Sequence, residues 1–451
     1  MADSRSRRAE PGSAPASRRW TARSGAAGAC PYYLYCPARR RLGSCHQQRA
    51  MSASASRQAA LRTLVRVFDE GAYADRAFAT EAADLDPRDR AFSQRLAYGS
   101  IQRVRTLDHV LEEVGGRPVG GLDVPVRAGL RLGAYELGFM DAVPARATVN
   151  EAVELVRAAG AGRATGLMNA VLRKVAGRIG PILDALPERT AQEAALRHSY
   201  PDWIAGTWWS EWGPEETLAL MRAQNEPPET AVRDVATGEA RVVERIDPDE
   251  LAAGKVWPQS RGSQLAGEVV GVQEGERVLD LAAAPGGKTG QLAVKAAEVV
   301  AVELHEGRAR ELEENMRTLG LGNVNVVQAD ARELPPKLTG FDRVLVDAPC
   351  SGLGVLASRP DLRWRARPLP ELQRELLEVA AERVKPGGTI VYSVCTIAKA
   401  ENEDVVDASG LQVVPLGDEY PDFAHPHRPE FLLTLPHEHH TSGFFIARIR
   451  A

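Results

Sequence analysis

Apolar residues recur with a helical period along the first part of the chain. Leu61, Leu64, Val65 and Phe68 stand at positions i, i+3, i+4 and i+7, so they form one face of an amphipathic helix. Further helical runs follow, separated by Gly, Pro or Asp: RDRAFSQRLAYGSIQ, TLDHVLEEV, VPVRAGLRLGAYELGFM, TVNEAVELVRAAG and TGLMNAVLRKV. The alternation of apolar and polar residues that is typical of strands is absent from these runs. The pattern therefore predicts a compact all-α domain over residues 54–185.

Aromatic residues mark the next part of the chain, residues 186–258. The run RHSYPDWIAGTWWSEWG carries four tryptophans at helical spacing, Trp203, Trp208, Trp209 and Trp212. Such rings can stack on bases, but Trp at this spacing is more often part of a core, and we expect packing between domains. A helical linker is predicted here, and the stretch that follows it is short, polar and weakly patterned.

Strands and helices alternate over residues 259–451. Apolar strands are predicted at 277–284, 298–304, 323–330, 341–349 and 389–395, and LQVVPLG and GFFIARIR supply two late strands. Continuous apolar strands separated by helices are typical of a mostly parallel sheet with both faces covered. The chain is therefore predicted to be multidomain, with an α/β domain after the helical part. Such sheets bind ligands beyond the carboxyl ends of their strands.

The composition agrees with an ordinary folded protein. The 451 residues leave room for two or three domains, and 44% apolar with 26% charged residues is a globular balance. The net charge of −4 hides ten Arg among the first fifty residues, against one Asp and one Glu. We interpret residues 1–53 as a disordered basic tail, or as upstream sequence read through before a start at Met51. The acidic remainder does not exclude nucleic-acid binding, which depends on a local patch.

Cysteine usage and hydropathy bear on the compartment. Five cysteines are too few and too scattered for a disulfide scaffold, which indicates a reducing, cytoplasmic setting. The longest apolar stretches are far shorter than a membrane span, so no transmembrane helix is expected. Three of the cysteines lie in the first fifty residues and fit no familiar zinc-ligand spacing. The predicted folded body keeps only Cys350 and Cys395.

A glycine-rich turn follows the first strand of the α/β domain. In AAAPGGKTG, residues 282–290, Gly286 and Gly287 let the backbone pass close to a ligand where a helix begins. A Walker loop needs Gly where Ala282 stands, and a dinucleotide loop GxGxxG is absent. The remaining interpretation is a site for the nucleoside end of S-adenosylmethionine (AdoMet).

Carboxylates stand at the ends of the next two predicted strands. Glu303 is placed to take both ribose hydroxyls, and Asp330 to accept from the adenine amino group. The alternative is that both acids are helix caps or solvated loop residues. A glycine-rich turn alone is a weak indication, but the turn together with these two acids predicts an AdoMet site.

Both cysteines of the folded body fall at predicted strand ends. Cys350 lies in VDAPCSGLG after the fourth strand, and Cys395 lies in YSVCT after the fifth. A single cysteine is usually a buried structural residue, but two at successive strand ends indicate thiolate nucleophilic catalysis. A zinc site is disfavoured because no nearby His or further Cys completes it. Asp347, in the same loop as Cys350, can accept a hydrogen bond from a base N–H or an exocyclic amine.

A thiolate beside AdoMet suits methylation of cytosine at C5. That carbon is a poor nucleophile, and a thiolate that adds to C6 makes it able to attack the methyl group. A base then removes the C5 proton and the thiol is eliminated, while an acid such as Asp347 stabilises the protonated edge of the ring. The target base must be unstacked, so the substrate is single-stranded or flipped RNA or DNA.

The helical part resembles NusB-like RNA-binding domains. The likeness is carried by RDRAF, AYGSIQRVRTLDHVL, RAGLRLGAYEL, VPARATVNEAVEL and MNAVLRKV, which cover nearly the whole of residues 54–185. The resemblance implies RNA binding, although basic residues on such helices are by themselves more often part of solvated faces.

The C-terminal part resembles the RNA 5-methylcytosine methyltransferases in DLAAAPGGKT, DAPCSGLG, RPDLRWR, YSVCT with ENE after it, and TSGFFIARI. With the NusB-like domain in front, the chain resembles the RsmB/Sun family, whose members act on small-subunit ribosomal RNA through a Rossmann-like AdoMet-dependent methyltransferase domain. The resemblance implies that Cys395 is the C6 nucleophile and that Cys350 assists product release, with Lys288 and Asp347 flanking the base. It also implies that AdoMet is bound or bordered by Ala282, Ala283, Ala284, Pro285, Gly286, Gly287, Lys288, Glu303, Asp330 and Asp347.

Three departures from the family pattern stand in this sequence. Ala282 stands where members often have Cys, and Glu303 replaces the more usual Asp while keeping the carboxylate. The stretch from Pro228 to Gln259 is shorter than the RNA-positioning subdomain that the family builds there. A reduced subdomain bears on the choice of target more than on the chemistry.

The sequence thus predicts an AdoMet-dependent RNA cytosine-C5 methyltransferase for small-subunit (16S) ribosomal RNA. We expect it to act as a monomer, without a metal or a membrane. Alternatives are a methyltransferase for transfer RNA or another RNA, a non-catalytic ribosome-assembly factor that binds RNA, and a P-loop NTPase. The intact cysteine loops disfavour the assembly factor, and Ala282 disfavours the NTPase.

Overall fold

The computed structural model describes residues 53–140 and 143–451, so all of the predicted basic tail except its last residue, the buried Ala53, lies outside the described residues. The first part is helical, with α1 (Ala55–Phe68), α2 (Ala74–Glu81), α3 (Pro87–Gln102), α4 (Val104–Gly115), α5 (Val124–Phe139), α6 (Ala145–Ala158) and α7 (Thr165–Ala185). Within the described part of the chain the first strand begins only at Ala231, which confirms the predicted all-α domain.

Helix α5 lies at the centre of this domain and packs against α1, α3, α4, α6 and α7. Glycine allows the close approach, because a Cβ at Gly133 would stand 2.8 Å from a methyl group of Leu172 on α7. Leu61 and Leu64, from the predicted apolar face of α1, are buried in the same core. The helical period of the sequence therefore correctly predicted which face of α1 is buried in the core.

Two helices, α8 (Ala191–His198) and α9 (Asp202–Ala223), lead towards the second half of the chain. Trp208 is fully buried, and Trp209 and Trp212 are partly buried against the core of the α/β domain. Helix α9 bends at Gly213, where φ is 79° and ψ is 174°. The predicted packing role of the tryptophans is confirmed for these three, whereas Trp203 is 36% exposed.

The weakly patterned stretch forms a small sheet. Strands β1 (Ala231–Asp234), β2 (Ala240–Val242) and β3 (Val256–Pro258) pair antiparallel in the order β2-β1-β3, with α10 (Pro248–Ala252) between β2 and β3. The sheet rests on the glycine-rich turn: buried Arg233 donates to the carbonyl of Gly287 at 3.5 Å and to Oε1 of Gln259 at 3.2 Å. Sequence analysis missed these strands, which are only three or four residues long.

The remaining elements form the α/β domain. Its helices are α11 (Arg261–Val270), α12 (Gly287–Ala293), α13 (Glu306–Thr318), α14 (Leu362–Arg365), α15 (Pro370–Arg383), α16 (Glu403–Ser409) and α17 (Pro436–His439). Its strands are β4 (Arg277–Asp280), β5 (Glu298–Glu303), β6 (Val324–Gln328), β7 (Phe341–Asp347), β8 (Val384–Val394), β9 (Gln412–Val414), β10 (Leu432–Thr434) and β11 (Phe444–Arg450).

These strands form one sheet in the order β10-β11-β8-β7-β4-β5-β6, with β9 also paired to β11. Strands β4 to β8 pair parallel, and β9 to β11 are antiparallel, which confirms the predicted mostly parallel sheet. Successive residues face opposite cores: Leu279 and Val344 pack on one side of the sheet, Val278 and Leu345 on the other. The short strand β10 is a further element that the sequence did not predict.

A buried arginine joins the α/β domain to the helical part. Arg363, on α14, is fully buried and its guanidinium lies 4.0 Å from the ring centroid of Tyr200. Its Nη1 donates to Oδ1 of Asn225 at 2.8 Å, and its Nη2 donates to the carbonyl of Gln224 at 2.7 Å. The run RPDLRWR thus anchors the α/β domain on the linker.

Neighbouring contacts extend this junction to α3 and to the loop after β7. Trp364 donates from Nε1 to the carbonyl of Ile101 at 2.7 Å. The side-chain amide of Gln224 donates to the carbonyl of Leu353 at 2.9 Å and accepts from the amide of Leu356 at 2.9 Å.

Among the described helices, none combines the length and the apolar character that crossing a bilayer requires.

Candidate active site

Two cysteines meet where β7 and β8 end. Because these strands pair in parallel, the loops that follow them lie side by side, with Cys350 in one and Cys395 in the other. Their Sγ atoms are 3.4 Å apart, within hydrogen-bond range for sulfur. Both residues are partly buried. The predicted strand-end cysteines are thus brought together in space.

The two thiols differ in acidity. The hydrogen bond to Cys395 is the main cause that raises the pKa of Cys350 well above its ordinary value, and burial of the thiol is the second cause. The same hydrogen bond lowers the pKa of Cys395, with smaller help from the positive charges of Lys288 and Arg359 and against burial and the charge of Asp347. The arrangement therefore favours a Cys395 thiolate that accepts a hydrogen bond from the neutral Cys350 thiol.

A lysine and an aspartate border the cysteines. Lys288, in the first turn of α12, is almost fully buried and places Nζ 2.8 Å from Oδ2 of Asp347 at the end of β7. Ser393 on β8 donates from Oγ to the other carboxylate oxygen at 2.7 Å. The ammonium also lies 4.7 Å from the ring centroid of Phe444. The Asp347 carboxylate is therefore held in one orientation beside the sulfur atoms.

The glycine-rich turn after β4 has no room for side chains. Gly286 has a φ of 107°, and a Cβ there would stand 2.6 Å from methyl groups of both Leu312 and Met316. A Cβ at Gly287 would lie 2.7 Å from Nε1 of Trp257. Ala282 is half-buried, Ala283 and Ala284 are buried, and Pro285 is exposed, joined to Ala284 by a cis peptide bond. The result is a backbone cradle between β4 and α12.

The two predicted ribose and adenine ligands lie at neighbouring strand ends. Glu303 ends β5, is buried, and accepts from the amide of His305 at 3.0 Å. Asp330 follows β6 and accepts from Nε and Nη2 of Arg332 at 3.0 and 2.7 Å. Those bonds lower the pKa of Asp330. Both acids lie on the same edge as the cradle, although each already accepts hydrogen bonds from the protein.

Two buried carboxylates near the site were missed by the sequence analysis. Asp280 ends β4 beneath the turn and accepts from Oγ1 of Thr289 at 2.8 Å, and burial raises its pKa to about 7. Glu401, just after the Cys395 loop, is fully buried and accepts hydrogen bonds from the Cys350 loop. In the sequence, these two residues were indicated by the position of Asp280 at the end of a strand and by the position of Glu401 in the ENE run.

The described residues include one cluster that could ligate a metal. Glu216, His437 and Glu438 offer ligand atoms that all lie within 4.8 Å of one another. His437 already contacts Oε2 of Glu216 through Nε2 at 2.6 Å, and both acids are exposed. None of these residues was predicted to be part of the site.

Comparisons with known proteins match both halves of the chain. The NusB family model matches residues 54–177, and the model described as 16S rRNA methyltransferase RsmB/F matches residues 268–450. The Probable ribosomal RNA small subunit methyltransferase B of Synechocystis sp. is 32% identical, over 88% of this chain and 99% of its own. Ribosomal RNA small subunit methyltransferase B of Thermus thermophilus is 37% identical, over 71% of this chain and 78% of its own.

The architecture also has a solved counterpart. The crystal structure of PH0851 superposes with a TM-score of 0.72 over 87% of this chain and 99% of its own, at 24% identity, which shows the fold. The NusB match at the helical domain and the methyltransferase match at the α/β domain agree with that architecture. From the two family matches and the near full-length relatives, we conclude that this chain belongs to the RsmB/F family of 16S rRNA methyltransferases.

Proposed function

We propose that the protein is an AdoMet-dependent RNA cytosine-C5 methyltransferase that acts on a cytosine of small-subunit (16S) ribosomal RNA through a covalent bond between Cys395 and C6. The observation that carries the proposal is the pair of Sγ atoms, 3.4 Å apart, of which Cys395 has the lowered pKa. A methyltransferase that acts on a more nucleophilic atom has no need of a thiolate. The names of the relatives support ribosomal RNA as the substrate.

The residues around the cradle fit AdoMet. Gly286 and Gly287 carry no side chain at the beginning of α12, so a nucleoside can approach the backbone of the turn closely. The carboxylates of Glu303 and Asp330 are the acceptors that ribose hydroxyls and an adenine amino group require. When bound, AdoMet supplies an electrophilic methyl group. The alanines 282–284 with Pro285 border the same surface, and Lys288 connects it to Asp347 at the end of β7, before the loop that carries Cys350.

The reaction follows from the placement of the side chains. The Cys395 thiolate adds to C6, and the electron pair of the C5–C6 bond becomes available at C5 for the methyl group. A base then removes the proton from C5, the C5–C6 double bond re-forms, and the C6–sulfur bond breaks to return the thiolate. Asp347, held by Lys288 and Ser393, can accept a hydrogen bond from the protonated ring edge. Cys350 lies close enough to Cys395 to assist release of the sulfur.

The decisive experiment is methyl transfer from labelled AdoMet to unmethylated small-subunit ribosomal RNA, with the modified base mapped by mass spectrometry. We expect a single 5-methylcytosine. Label on any other atom of a base would overturn the proposed chemistry. Label that enters only transfer RNA would keep the chemistry and replace the substrate. The Cys395→Ala variant is the matched control, and it should bind AdoMet normally but transfer no methyl group.

A further inference from the structure

A buried carboxylate holds the loop that carries Cys350. Oε1 of Glu401 accepts from the amides of Ser351 and Leu369, each at 3.0 Å, and from Nε2 of Gln373 at 2.9 Å. The Ser351 hydroxyl donates to Oε2. Four donor groups therefore converge on one side chain that is 0% exposed, and the proposed reaction does not use it.

These contacts fix the residues on both sides of Cys350. Ser351 is bound to Glu401 directly. Pro349 is bound through Gln373, whose Nε2 also donates to the Pro349 carbonyl at 2.9 Å. The position of the Cys350 sulfur, 3.4 Å from Sγ of Cys395, thus depends on Glu401. A loop anchored at both flanking residues has little freedom to withdraw its thiol.

The donors that reach Glu401 are all neutral. Two are backbone amides, one is a hydroxyl and one is a side-chain amide, so they satisfy the oxygens without cancelling the charge. A buried, uncancelled negative charge acts strongly on its neighbours because the interior screens it weakly. The Cys350 thiol, in the same anchored loop, would acquire a like charge on losing a proton, and the charge of Glu401 opposes that loss.

The charges around the two sulfurs are arranged unequally. Lys288 and Arg359 favour a negative charge on Cys395, and Asp347 opposes it. Glu401 opposes a negative charge on Cys350, adding to the effects of Cys395 and burial that raise the pKa of this thiol. The Tyr392 hydroxyl faces the same region and donates to the Glu401 carbonyl at 2.6 Å, and burial raises its pKa, so it stays neutral.

We propose that Glu401 is a positioning residue for the methyl transfer, which anchors the Cys350 loop and keeps Cys350 a neutral thiol so that Cys395 carries the charge. The inference rests on the proposed function and deepens it. The charge and the contacts of Glu401 explain why the neighbouring thiols of Cys350 and Cys395 have different roles in the proposed reaction. Glu401 itself touches neither the substrate nor the reacting atoms.

The test is the Glu401→Gln variant, which removes the charge and keeps the shape. The amide oxygen can accept the three N–H donors that now reach Oε1. The amide nitrogen can donate to the Ser351 hydroxyl, which in turn lies 2.9 Å from Oγ1 of Thr396. The readout is the rate of iodoacetamide alkylation of each cysteine between pH 6 and pH 10, measured by peptide mass spectrometry on the full chain.

We expect the preference for alkylation of Cys395 over Cys350 to fall about tenfold in Glu401→Gln. The pH at which Cys350 becomes reactive should also fall. The matched control is Glu403→Gln, because Glu403 is also buried and stands in the same ENE run, but its Oε1 lies 2.8 Å from Nε2 of His425. It should leave the preference as in the parent. An unchanged preference in folded Glu401→Gln, or an equal drop in Glu403→Gln, would overturn the inference.

A second variant covers the case in which Glu401→Gln does not fold. Glu401→Asp keeps the charge but withdraws it from the Cys350 loop by one methylene, so an intermediate preference is expected and a parental one contradicts the inference. Failure of the proposed function has a different result: Cys395→Ala would then keep its turnover. An inactive Cys395→Ala together with an unchanged preference in the Glu401 variants would reject the inference alone.

Discussion

At the scale of single residues, the proposed chemistry depends on two sulfur atoms that share a hydrogen bond. The bond lowers the pKa of Cys395 and raises that of Cys350, so we expect Cys395 to carry the negative charge and Cys350 to donate to it. Lys288 and Asp347 form the adjoining ion pair, which fixes the carboxylate next to the pair of sulfurs. The protonation state of each group in the candidate site therefore depends on that of its neighbours.

Removal of the Cys350 thiol should trap the enzyme on its RNA. Without a thiol 3.4 Å from the departing sulfur, we expect Cys350→Ala to form the C6 adduct but to release it at least tenfold more slowly. A denaturing gel with labelled RNA measures the retained complex. Cys395→Ala is the control, because it cannot form the bond at all. If Cys350→Ala retains no RNA and keeps its turnover, Cys350 has no part in release.

Asp280 should make the stability of the fold depend on pH. Burial raises its pKa to about 7, so the native state binds a proton that the unfolded chain has already lost, and stability falls as the pH rises towards 7. Asp280→Asn removes this cost, and its gain in unfolding free energy over the parent should grow by roughly 3 kcal/mol between pH 5 and pH 8. Urea denaturation at both pH values measures the difference.

The control for this prediction is Asp342→Asn, at the other end of the parallel sheet. Lys385 and the Arg277 amide lower the pKa of Asp342, so this carboxyl is ionised at pH 5 and pH 8 in both native and unfolded chains. The difference between Asp342→Asn and the parent should therefore be flat over that range. A flat difference for Asp280→Asn as well would show that this carboxyl is not protonated in the native state.

The sequence was informative about some of these residues and silent on others. Cys350, Cys395 and the glycine-rich turn were found because each stands just after a strong apolar strand. Asp280 and Glu401 were missed because the residues next to a carboxylate in the sequence do not determine whether the fold buries it. Burial of a carboxylate is decided by segments distant in the chain, such as Gln373 for Glu401.

At the scale of elements, the turn between β4 and α12 sets what the site can hold. Gly286→Ala combines a left-handed backbone with a Cβ 2.6 Å from methyl groups of Leu312 and Met316. We expect a loss of about 2 kcal/mol in stability and at least a tenfold loss of AdoMet affinity. Thermal melting and titration calorimetry measure the two effects.

The matched control for the turn is Gly275→Ala. Gly275 also has a positive φ, 85°, but a Cβ there meets nothing within 4 Å. It should lose about 1 kcal/mol of stability and no AdoMet affinity. Equal affinities for the two variants would show that the turn does not line the AdoMet site.

Element prediction succeeded where the sequence shows a long helical period or a strong apolar run. The helices up to residue 185 give several turns of the helical period, and the five parallel strands and β9 stand in apolar runs. Strands β1, β2, β3 and β10 have only three or four residues, too few to establish a period of two. Such short strands form because neighbouring strands pair with them: β1, for example, lies between β2 and β3.

At the scale of the whole molecule, Arg363 makes the helical and α/β parts interdependent. Arg363→Met would leave the Gln224 carbonyl and the Asn225 amide oxygen without this donor in a buried place and remove the stack on Tyr200. We expect a loss of about 3 kcal/mol or more in unfolding free energy and faster proteolysis of the linker. Chemical denaturation and limited proteolysis measure these effects.

The control for this prediction is Arg374→Met on α15. Arg374 is partly exposed and pairs with Glu371 at 3.3 Å, one helical turn away, so its loss should change stability by at most about 0.5 kcal/mol. If both variants unfold alike, the two parts are not coupled through Arg363. The run RPDLRWR was visible in the sequence, but its partners lie in another domain and could not be read from it.

The Arg363 junction also orders events during synthesis of the chain. Asn225 and Gln224 precede Arg363 by 138 and 139 residues, and at about 5–20 residues per second the ribosome needs roughly 7–28 s to cover that interval. The helical half has time to fold while its oxygen acceptors still face water. The α/β half then completes its fold on a surface that is already formed, so an error in the first half is carried into the second.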